Sequence, residues 1–378
     1  MSFQEEPRVG DIRRFNHVRL SLISSDGALC ILSRLRAGTL TSGLTNVTVR
    51  ATFSNPITGS SFDSPPFTSA VLKYAPPYIA ADPSQPMSVH RQVIEANALR
   101  YLAKTPAIPD LFALEFPRLK IPHLIHHDTT ANVLWITDLG ESQTLSKFLA
   151  TSPANAREIA VMLGTSVARL WEITAHPAPE TLALFGHADG EGAVDFLVPP
   201  ALAVLSKRGV PDAEVLSARI RTAMEDKETL EPCLSMVDFW PESFLIGADG
   251  SLGLVDWEHF GLSTPGAEVG MRAAHLQLLI FKSKNRPAVV NATRTFISAF
   301  FTSYAAVRPP STYFKRQVLI AYGRELVTAI EFSAADLDDE VQKQVLDASV
   351  RSLRAAGSSE AEVNATVADV FRLELGKV

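Results

Sequence analysis

The sequence predicts an α+β protein with a small, strand-rich first part and a larger, helical second part that contains one inserted β-hairpin. Three observations predict this fold class. β-Branched residues alternate along short segments up to about residue 138. Beyond that residue, apolar side chains recur at the three- and four-residue spacing of helices. Within the helical part, two short apolar segments flank an Asp-Gly turn at residues 249–250, which is typical of a hairpin.

The first part is expected to form an N-terminal lobe of residues 1–138. Its predicted elements are strands at 47–53, 70–74 and 132–137 and a helix from about 88 to 103. Ser88 is a candidate N-cap for that helix. The connection at 54–68 is rich in Pro, Gly and Ser, which is typical of a long hairpin loop.

The second part, residues 139–378, is expected to form a helical C-terminal lobe. Ser152-Pro153 predicts a helix start, because proline is favourable at the first helical position. The inserted hairpin has predicted strands at 243–246 and 252–255. From about residue 266 the chain is predicted to be helical, with breaks near 285–287, 309–310, 333 and 357–359.

Composition and charge exclude several functional classes. A net charge of −6 argues against a nucleic-acid partner, which requires a basic surface. The two cysteines, Cys30 and Cys233, are too few for a disulfide framework and fit a reducing compartment. The N-terminal segment has no apolar secretory signal, and no apolar run reaches the roughly 18 residues of a membrane span. We therefore expect a cytoplasmic protein with a small-molecule partner, without nucleic acid or membrane, and leave the oligomeric state open.

Oxygen-bearing side chains gather at one end of the predicted hairpin. If its strands pair antiparallel, Ser243 and Asp256 become neighbours, and Asp238 lies in the loop at the same end. Glu258 adds a further carboxylate. Such oxygens suit a hard divalent cation such as Mg²⁺. On spacing alone, an equally good interpretation is that Asp238 begins a turn and Asp256 ends a strand.

Several separated motifs carry a resemblance to a known family. The segment VDFWPESFLI at 237–246 resembles the His-Gly-Asp-x-x-x-x-Asn loop of the aminoglycoside phosphotransferase-like kinases, and VDWE at 255–258 resembles their Ile-Asp-Trp-Glu motif. Upstream segments similar to the 5-methylthioribose kinases of that family are 44–50, 71–78 and 86–96. The run as a whole is also similar to the fungal 4-hydroxytryptamine kinases, and the motifs follow the family's order over roughly residues 35–280. The resemblance implies a bilobal, protein-kinase-like fold that transfers the γ-phosphoryl group of ATP, with Mg²⁺, to a hydroxyl of a small molecule.

For the N-terminal lobe, the resemblance implies nucleotide binding. Lys73 matches the lysine that binds the α- and β-phosphates, and Glu95 matches the acid that pairs with this lysine. The loop from Gly43 to Asn46 falls where a nucleotide-covering loop is expected, although it has one glycine where a protein kinase has three. The hinge residues expected to bind adenine through their backbone run from Ile136 to Asp138.

For the C-terminal lobe, the resemblance implies the catalytic and metal-binding residues. Asp238 matches the aspartate that orients the acceptor hydroxyl, and Asp256 matches the main magnesium ligand. Ser243 takes the position of a second metal ligand. The residues expected near the acceptor are Trp240, Glu242 and Glu258. The aromatic Phe239 and Trp240 favour an apolar or aromatic acceptor over a polycationic one.

Four positions depart from the family pattern and keep other functions open. Met236 and Val237 replace the usual His-Gly, and Glu268 replaces a helix-starting aspartate and is expected to brace the loop less well. Ser243 replaces the usual asparagine, although serine also occurs there in 5-methylthioribose kinases. The alternatives are a pseudokinase that binds nucleotide without turnover and an enzyme that uses the same fold for chemistry without ATP.

Overall fold

The computed structural model describes residues 22–23, 29–30, 35–40, 43–57, 66–151, 153–186, 192–226, 230–332, 334 and 337–373. In chain order, the strands are β1 (Leu22–Ile23), β2 (Leu29–Cys30), β3 (Leu35–Leu40), β4 (Val47–Ile57), β5 (Phe67–Tyr74), β6 (Tyr78–Ile79), β7 (Asp82–Pro86), β8 (Leu119–Lys120), β9 (Leu124–Asp128), β10 (Val133–Thr137), β11 (Ser142–Thr144), β12 (Cys233–Ser235), β13 (Phe244–Gly247), β14 (Leu252–Leu254) and β15 (Gly261–Ser263).

The helices follow the same chain order. They are α1 (Arg91–Lys104), α2 (Ala107–Asp110), α3 (Leu145–Thr151), α4 (Ala156–Ile173), α5 (Pro179–Leu182), α6 (Gly192–Lys207), α7 (Ala213–Glu225), α8 (Pro265–Lys282), α9 (Pro287–Val307), α10 (Thr312–Phe332), α11 (Asp339–Ala356) and α12 (Glu360–Phe371). A π-turn at Leu111–Glu115 and short 3₁₀ turns at Pro153–Asn155, Ala183–Phe185 and Pro241–Ser243 connect them. Among the described helices, none is both long and apolar enough to cross a bilayer.

The chain divides into two compact units. The first comprises Met1–Arg100 and Pro122–Leu139, and the second comprises Tyr101–Ile121 and Gly140–Val378. The first unit contains a five-stranded antiparallel sheet in the order β3-β4-β5-β10-β9. The second contains the helices from α2 onward and the smaller sheets β11-β13-β14-β8 and β12-β15.

The sheet of the first unit has one apolar face because its strands alternate. On this face Val49 and Phe53 of β4 pack with Leu72 of β5 and Trp135 of β10, and the rings of Phe53 and Trp135 stack with centroids 6.4 Å apart. The next side chain of β5, Lys73, points to the other face. The two faces of β5 therefore have different roles, one for the core and one for charge.

The predicted elements agree with the structure, with differences at their ends. The strands of the first hairpin continue to Ile57 and begin again at Phe67, so the connection is shorter than expected. Helix α1 begins at Arg91, because the Ser88 hydroxyl accepts a hydrogen bond from the His90 amide in a turn that precedes the helix. Helix α4 begins at Ala156 after a 3₁₀ turn at Pro153–Asn155, and Ser152 lies outside the described residues.

The structure confirms the predicted hairpin and also the predicted alignment of its two strands. Strand β13 pairs antiparallel with β14, with Phe244 opposite Leu254. The Val255 amide donates to the Ser243 carbonyl at 3.1 Å and continues the pairing by one residue. Ser243 and Asp256 therefore lie at the same end of the hairpin, as the spacing predicts.

Helices α8 and α10 approach closely because α8 presents glycines toward α10. A Cβ atom added to Gly270 would lie 2.3 Å from the Val318 carbonyl oxygen, and one added to Gly266 would lie 2.5 Å from the Phe314 carbonyl oxygen. The two glycines are four residues apart and share one helix face. This contact fixes α8, whose Arg272 side chain packs against Phe239 and Phe244.

We expect Gly270→Ala to lower the free energy of unfolding by about 1–3 kcal/mol, because the added methyl group overpacks the contact between α8 and α10. Thermal denaturation would show this as a drop of roughly 2–4 °C for each kcal/mol. Gly186→Ala is the matched control: Gly186 has an ordinary φ of −64° and nothing within 4 Å of an added Cβ. An equal melting temperature for both variants would contradict the steric argument.

Candidate active site

A buried ion pair joins Lys73 and Glu95 in the first unit. The Lys73 ammonium group donates to both carboxylate oxygens of Glu95, at 2.9 and 2.7 Å, and both side chains are less than 10% exposed. The Gln92 side chain, one turn earlier on α1, donates to the carbonyls of Lys73 and Asn132, at 2.8 Å each. Because α1 is thus tied to both β5 and the start of β10, the pair is held in one geometry, as the sequence predicts for Lys73 and Glu95.

Arg91 binds the loop that precedes β4. Its guanidinium group donates to the Thr45 carbonyl at 3.1 Å, to the Pro76 carbonyl at 2.9 Å and to the Asn46 side-chain oxygen at 3.3 Å. A Cβ atom added to Gly43 would lie 2.9 Å from the Asn46 carbonyl oxygen, so the turn favours glycine there. The sequence analysis missed Arg91, because its partners are backbone carbonyls that no sequence motif identifies.

The segment expected to be the hinge lies at the end of β10. Ile136 is buried, and the Asp138 carboxylate accepts a hydrogen bond from Arg50 Nη2 at 3.2 Å and forms an ion pair with the same guanidinium group. The Thr137 amide donates to the His123 carbonyl, and the His123 amide donates to the Thr137 hydroxyl. The Asp138 side chain is therefore occupied within its own unit, and only the backbone of this segment remains for recognition.

In the second unit, the residues between β12 and β13 form a loop closed by its own hydrogen bonds. The Ser243 hydroxyl donates to the Asp238 carbonyl at 3.2 Å, and the Ser243 amide donates to the Trp240 carbonyl at 3.2 Å. Ser243 itself is buried. Its hydroxyl proton is thus used inside the loop, and only the lone pairs of the oxygen could serve a metal.

Two residues of this region adopt a left-handed backbone conformation. Val237 has φ 63° and Asp256 has φ 72°. A β-branched residue in this region is a genuine outlier, and such strain concentrates at functional sites. The Trp257 indole N–H donates to the Leu254 carbonyl at 3.0 Å, which fixes the turn after Asp256. The two strained residues are therefore Val237, which precedes Asp238, and Asp256 itself.

Three carboxylates converge at the end of the hairpin. Burial raises the pKa of the Asp238 carboxyl well above its usual value, and the negative charges of Asp256 and Glu258 raise it further. A carboxylate oxygen of Asp256 lies within 4.8 Å of one of Glu258. Like charges so close repel one another, and a divalent cation would relieve this repulsion while accepting hard oxygen ligands. The donor set therefore fits Mg²⁺.

Glu258 lies beside Asp256 and is 2% exposed, which agrees with its predicted place among the oxygen donors at the hairpin end. Glu242 lies in the 3₁₀ turn Pro241–Ser243 and is partly exposed. Of the three residues expected near the acceptor, Glu258 thus belongs with the carboxylate cluster.

Trp240 lies next to residues that the sequence analysis did not identify. The edge of its ring faces the His275 ring, with centroids 5.8 Å apart, and its indole N–H has no hydrogen-bond partner in the described part of the chain. His275 Nε2 lies 3.5 Å from the Glu325 carboxylate. Burial alone would raise the pKa of Glu325, but the charges of Arg324 and His275 outweigh it and lower the pKa to about 2. Glu325 is therefore ionised over the whole physiological range.

Glu268, in the first turn of α8, supports the loop between β12 and β13. It is buried, and its carboxylate accepts from the Ser263 hydroxyl at 2.7 Å. Burial raises its pKa to about 7, against the opposing effect of hydrogen bonds from Ser263, Ser235 and the Val237 amide. These partners lie in β12, in β15 and in the loop after β12, so Glu268 joins three separate segments of the chain. The prediction of a weaker brace stays a prediction.

Comparisons with known proteins identify the family. A sequence model described as the phosphotransferase enzyme family matches residues 68–308. The 4-hydroxytryptamine kinase of Psilocybe cyanescens is 26% identical over 319 residues, which cover 81% of this chain and 83% of that protein. The 4-hydroxytryptamine kinase of Psilocybe cubensis is 26% identical over 58% of this chain and 61% of its own length. The solved choline kinase of Cryptosporidium parvum is 14% identical, with a TM-score of 0.48 over 89% of this chain and 94% of that one.

Because the family model matches more than half of the chain, the protein belongs to the phosphotransferase enzyme family. This confirms the resemblance on which the sequence analysis relied, and the α+β fold class agrees with it. Both curated relatives are small-molecule kinases, enzymes that take a phosphoryl group from a nucleotide. The roles of individual residues remain predictions.

We expect Glu268→Gln to change how stability depends on pH. Because the folded state raises the pKa of Glu268 from 4.5 to about 7, it binds this proton more tightly than the unfolded chain does. The contribution of Glu268 to stability is therefore greatest below pH 4.5 and is lost as the pH rises to 7. Relative to wild type, the free energy of unfolding of the variant should rise by up to about 3 kcal/mol between those pH values.

Urea denaturation at several pH values measures this difference. Glu180→Gln, at an exposed position, is the control and should follow the wild-type profile. Parallel profiles for wild type and Glu268→Gln would show that the Glu268 carboxyl does not titrate with a raised pKa.

Proposed function

We propose that this protein is a kinase that uses ATP and Mg²⁺ to phosphorylate a hydroxyl group of a small molecule. The observation that carries the proposal is the convergence of Asp238, Asp256 and Glu258 at the end of the hairpin, on strained and well-braced backbone. In this proposal residues 1–138 bind the nucleotide, and residues 139–378 supply the catalytic and metal-binding loops and the acceptor site.

In the N-terminal part, Lys73 would bind the α- and β-phosphates as a positive charge held in place by Glu95. The bidentate contact between the two fixes the direction of the ammonium group. Gly43 and Asn46 belong to a loop that Arg91 holds by two hydrogen bonds, while a third anchors Arg91 to the Pro76 carbonyl, so this loop would cover the nucleotide with little loss of entropy. The backbone of Ile136 and Asp138 would bind the adenine.

In the C-terminal part, Asp256 and Glu258 would hold Mg²⁺, with the Ser243 oxygen as a weaker ligand. The metal would neutralise charge on the transferring phosphoryl group. Asp238 would accept a hydrogen bond from the acceptor hydroxyl and take its proton as the new O–P bond forms, while the bond from the γ-phosphorus to the bridging oxygen breaks and ADP leaves with that electron pair. Its raised pKa favours this role, because a base with a pKa nearer to the working pH accepts a proton more readily.

The acceptor would lie against Trp240. The faces of Trp240 and His275 favour a flat, apolar body, and the Trp240 indole N–H could donate to a polar atom on it. The substrate named for the two fungal relatives, 4-hydroxytryptamine, combines an aromatic ring, a hydroxyl and an amine. A hydroxylated aromatic amine is therefore the acceptor class to test first.

A protein that binds nucleotide without turnover is the second candidate. The observation in its favour is the Ser243 hydroxyl, whose proton bonds the Asp238 carbonyl at the position where relatives have a metal-binding asparagine. Weak metal binding at Ser243 would lower turnover more strongly than it lowers nucleotide affinity.

The two aspartates separate binding from chemistry. We expect Asp256→Asn to weaken Mg²⁺-dependent ATP binding at least about tenfold, because it removes one charged ligand. Asp238→Asn should leave this affinity nearly unchanged and lower turnover by roughly 10²–10⁴, the range for a positioned acid–base group. Titration calorimetry with and without Mg²⁺ measures the first effect, and ATP consumption with a panel of hydroxylated aromatic amines measures the second.

Asp249→Asn is the matched control, since Asp249 lies at the exposed turn of the same hairpin. Wild-type ATP binding without consumption of ATP with any acceptor would favour the second candidate. Failure of the wild type to bind Mg²⁺-ATP would contradict both candidates.

We expect Lys73→Met to lower ATP affinity by roughly ten- to a hundredfold, the effect of losing a charge-assisted hydrogen bond to phosphate. Because Lys73→Met alone leaves Glu95 buried without its partner, the double variant Lys73→Met with Glu95→Gln keeps the fold testable. Lys120→Met, at an exposed lysine, is the control. Fluorescence titration with a labelled ATP analogue gives the affinities, and equal values for all variants would remove Lys73 from the site.

A further inference from the structure

Arg272 is fully buried in α8 beneath the catalytic loop. It is 1% exposed, and its guanidinium carbon lies 3.6 Å from the centroid of the Phe239 ring and 3.8 Å from that of Phe244. A third ring, Phe300 of α9, lies 5.1 Å away. None of the three guanidinium nitrogens has a hydrogen-bond partner within the described part of the chain. Aromatic faces therefore take the place of the usual polar partners of this cation.

A buried cation with such surroundings is unusual. Burial lowers the pKa of the Arg272 guanidinium, and the negative charge of Glu268, one turn earlier on the same helix, opposes this effect. An apolar side chain of similar volume would fill the same space without the cost of removing a charge from water. Packing alone therefore does not explain why arginine occupies the position.

The two clamped rings belong to the residues that follow the proposed site residues. Phe239 comes directly after Asp238, and Phe244 comes directly after Ser243. Their rings also contact each other edge to face, with centroids 5.0 Å apart. Arg272 therefore contacts both ends of the segment Phe239–Phe244, which begins directly after Asp238.

This segment needs such a restraint because its backbone is strained. Val237 has φ 63° immediately before Asp238, and strain of this kind persists only where surrounding contacts determine the conformation. The Ser243 hydroxyl bonds the Asp238 carbonyl, and the Val237 amide bonds the Glu268 carboxylate, so polar contacts also restrain the loop. The planar guanidinium group restrains it through the faces of two rings, which fixes orientation as well as distance.

We propose that Arg272 is a positioning residue for phosphoryl transfer, a cationic clamp on Phe239 and Phe244 that sets the direction of the Asp238 carboxylate. The inference rests on the proposed function for its catalytic consequence, but the clamp itself is a property of the loop. Arg272 does not contact the acceptor or the nucleotide in this proposal. Its loss should therefore lower kcat and leave KM nearly unchanged.

Arg272→Met tests the clamp, because methionine keeps much of the length and volume and removes the charge. We expect kcat to fall by about 100-fold, the effect of a small misplacement of a catalytic group. KM for ATP and for the acceptor should stay within about twofold, and thermal stability should be equal to wild type or higher. Arg272→Lys, which keeps the charge but not the planar fork, should recover part of kcat. Arg351→Met, the same substitution at an exposed arginine of α11, is the control and should keep wild-type kcat.

Hydrogen–deuterium exchange of the amides of residues 236–244 gives a second readout that does not depend on turnover. Faster exchange in Arg272→Met with the rest of the protein unchanged supports the clamp, even if the wild type transfers no phosphoryl group and the proposed function fails. Wild-type exchange together with wild-type kcat in Arg272→Met would overturn the inference. If Arg272→Met does not fold, the same measurements on Arg272→Lys decide: slower turnover and faster exchange support the clamp, and wild-type values overturn it.

Discussion

The concentration of negative charge at the end of the hairpin is the constraint to which the surrounding structure responds. Asp238, Asp256 and Glu258 repel one another, and burial adds to the cost of their charges. Side chains alone cannot hold such a cluster, because each carboxylate would turn away toward water. The backbone holds it instead. Hydrogen bonds from Ser243 and Trp257 fix the two turns, and the ladder between β13 and β14 joins them. Because the backbone keeps the carboxylates close together in spite of their repulsion, a cation that binds between them gains favourable electrostatic energy.

In the first unit, the buried charges that lie close together have opposite signs. Lys73 and Glu95 attract each other, so their pairing needs less support than the carboxylate cluster does. A buried pair of this kind adds little net stability, because desolvation offsets the attraction. The ion pair instead orients the Lys73 ammonium group, because this group contacts both oxygens of Glu95. The hydrogen bond from the Gln92 side chain to the Lys73 carbonyl holds α1 at a fixed distance from β5. Positioned charge is also what phosphoryl transfer requires from a protein.

Sequence reasoning succeeded where the signal is local and failed where it depends on distant contacts. Alternation, the Asp-Gly turn and the proline breaks are local, and they predicted the sheet, the hairpin and the long helices. The carboxylates were found because spacing and motif agree. Arg91, Arg272 and the pair of His275 with Glu325 were missed, since each acts on segments tens of residues away and no pattern around it identifies the partner. Glu258 lies beside Asp256, as the spacing at the end of the hairpin predicts, and its contact with the acceptor stays a prediction.

The departures from the family pattern form a connected set. Val237 stands at the position of the glycine in the motif that the loop resembles, and its left-handed backbone conformation is one that glycine favours, so the loop carries strain at this residue. Glu268 is longer than the usual aspartate and reaches the Ser263 hydroxyl from α8, and Arg272 follows it by one turn. Ser243 exchanges an amide ligand for a hydroxyl that bonds the loop itself. The loop is therefore restrained by contacts from α8 and by the hydrogen bond between Ser243 and Asp238. Under the proposed function, a metal held here would depend more on the nucleotide phosphates than on protein ligands, which is the usual way in which Mg²⁺ binds.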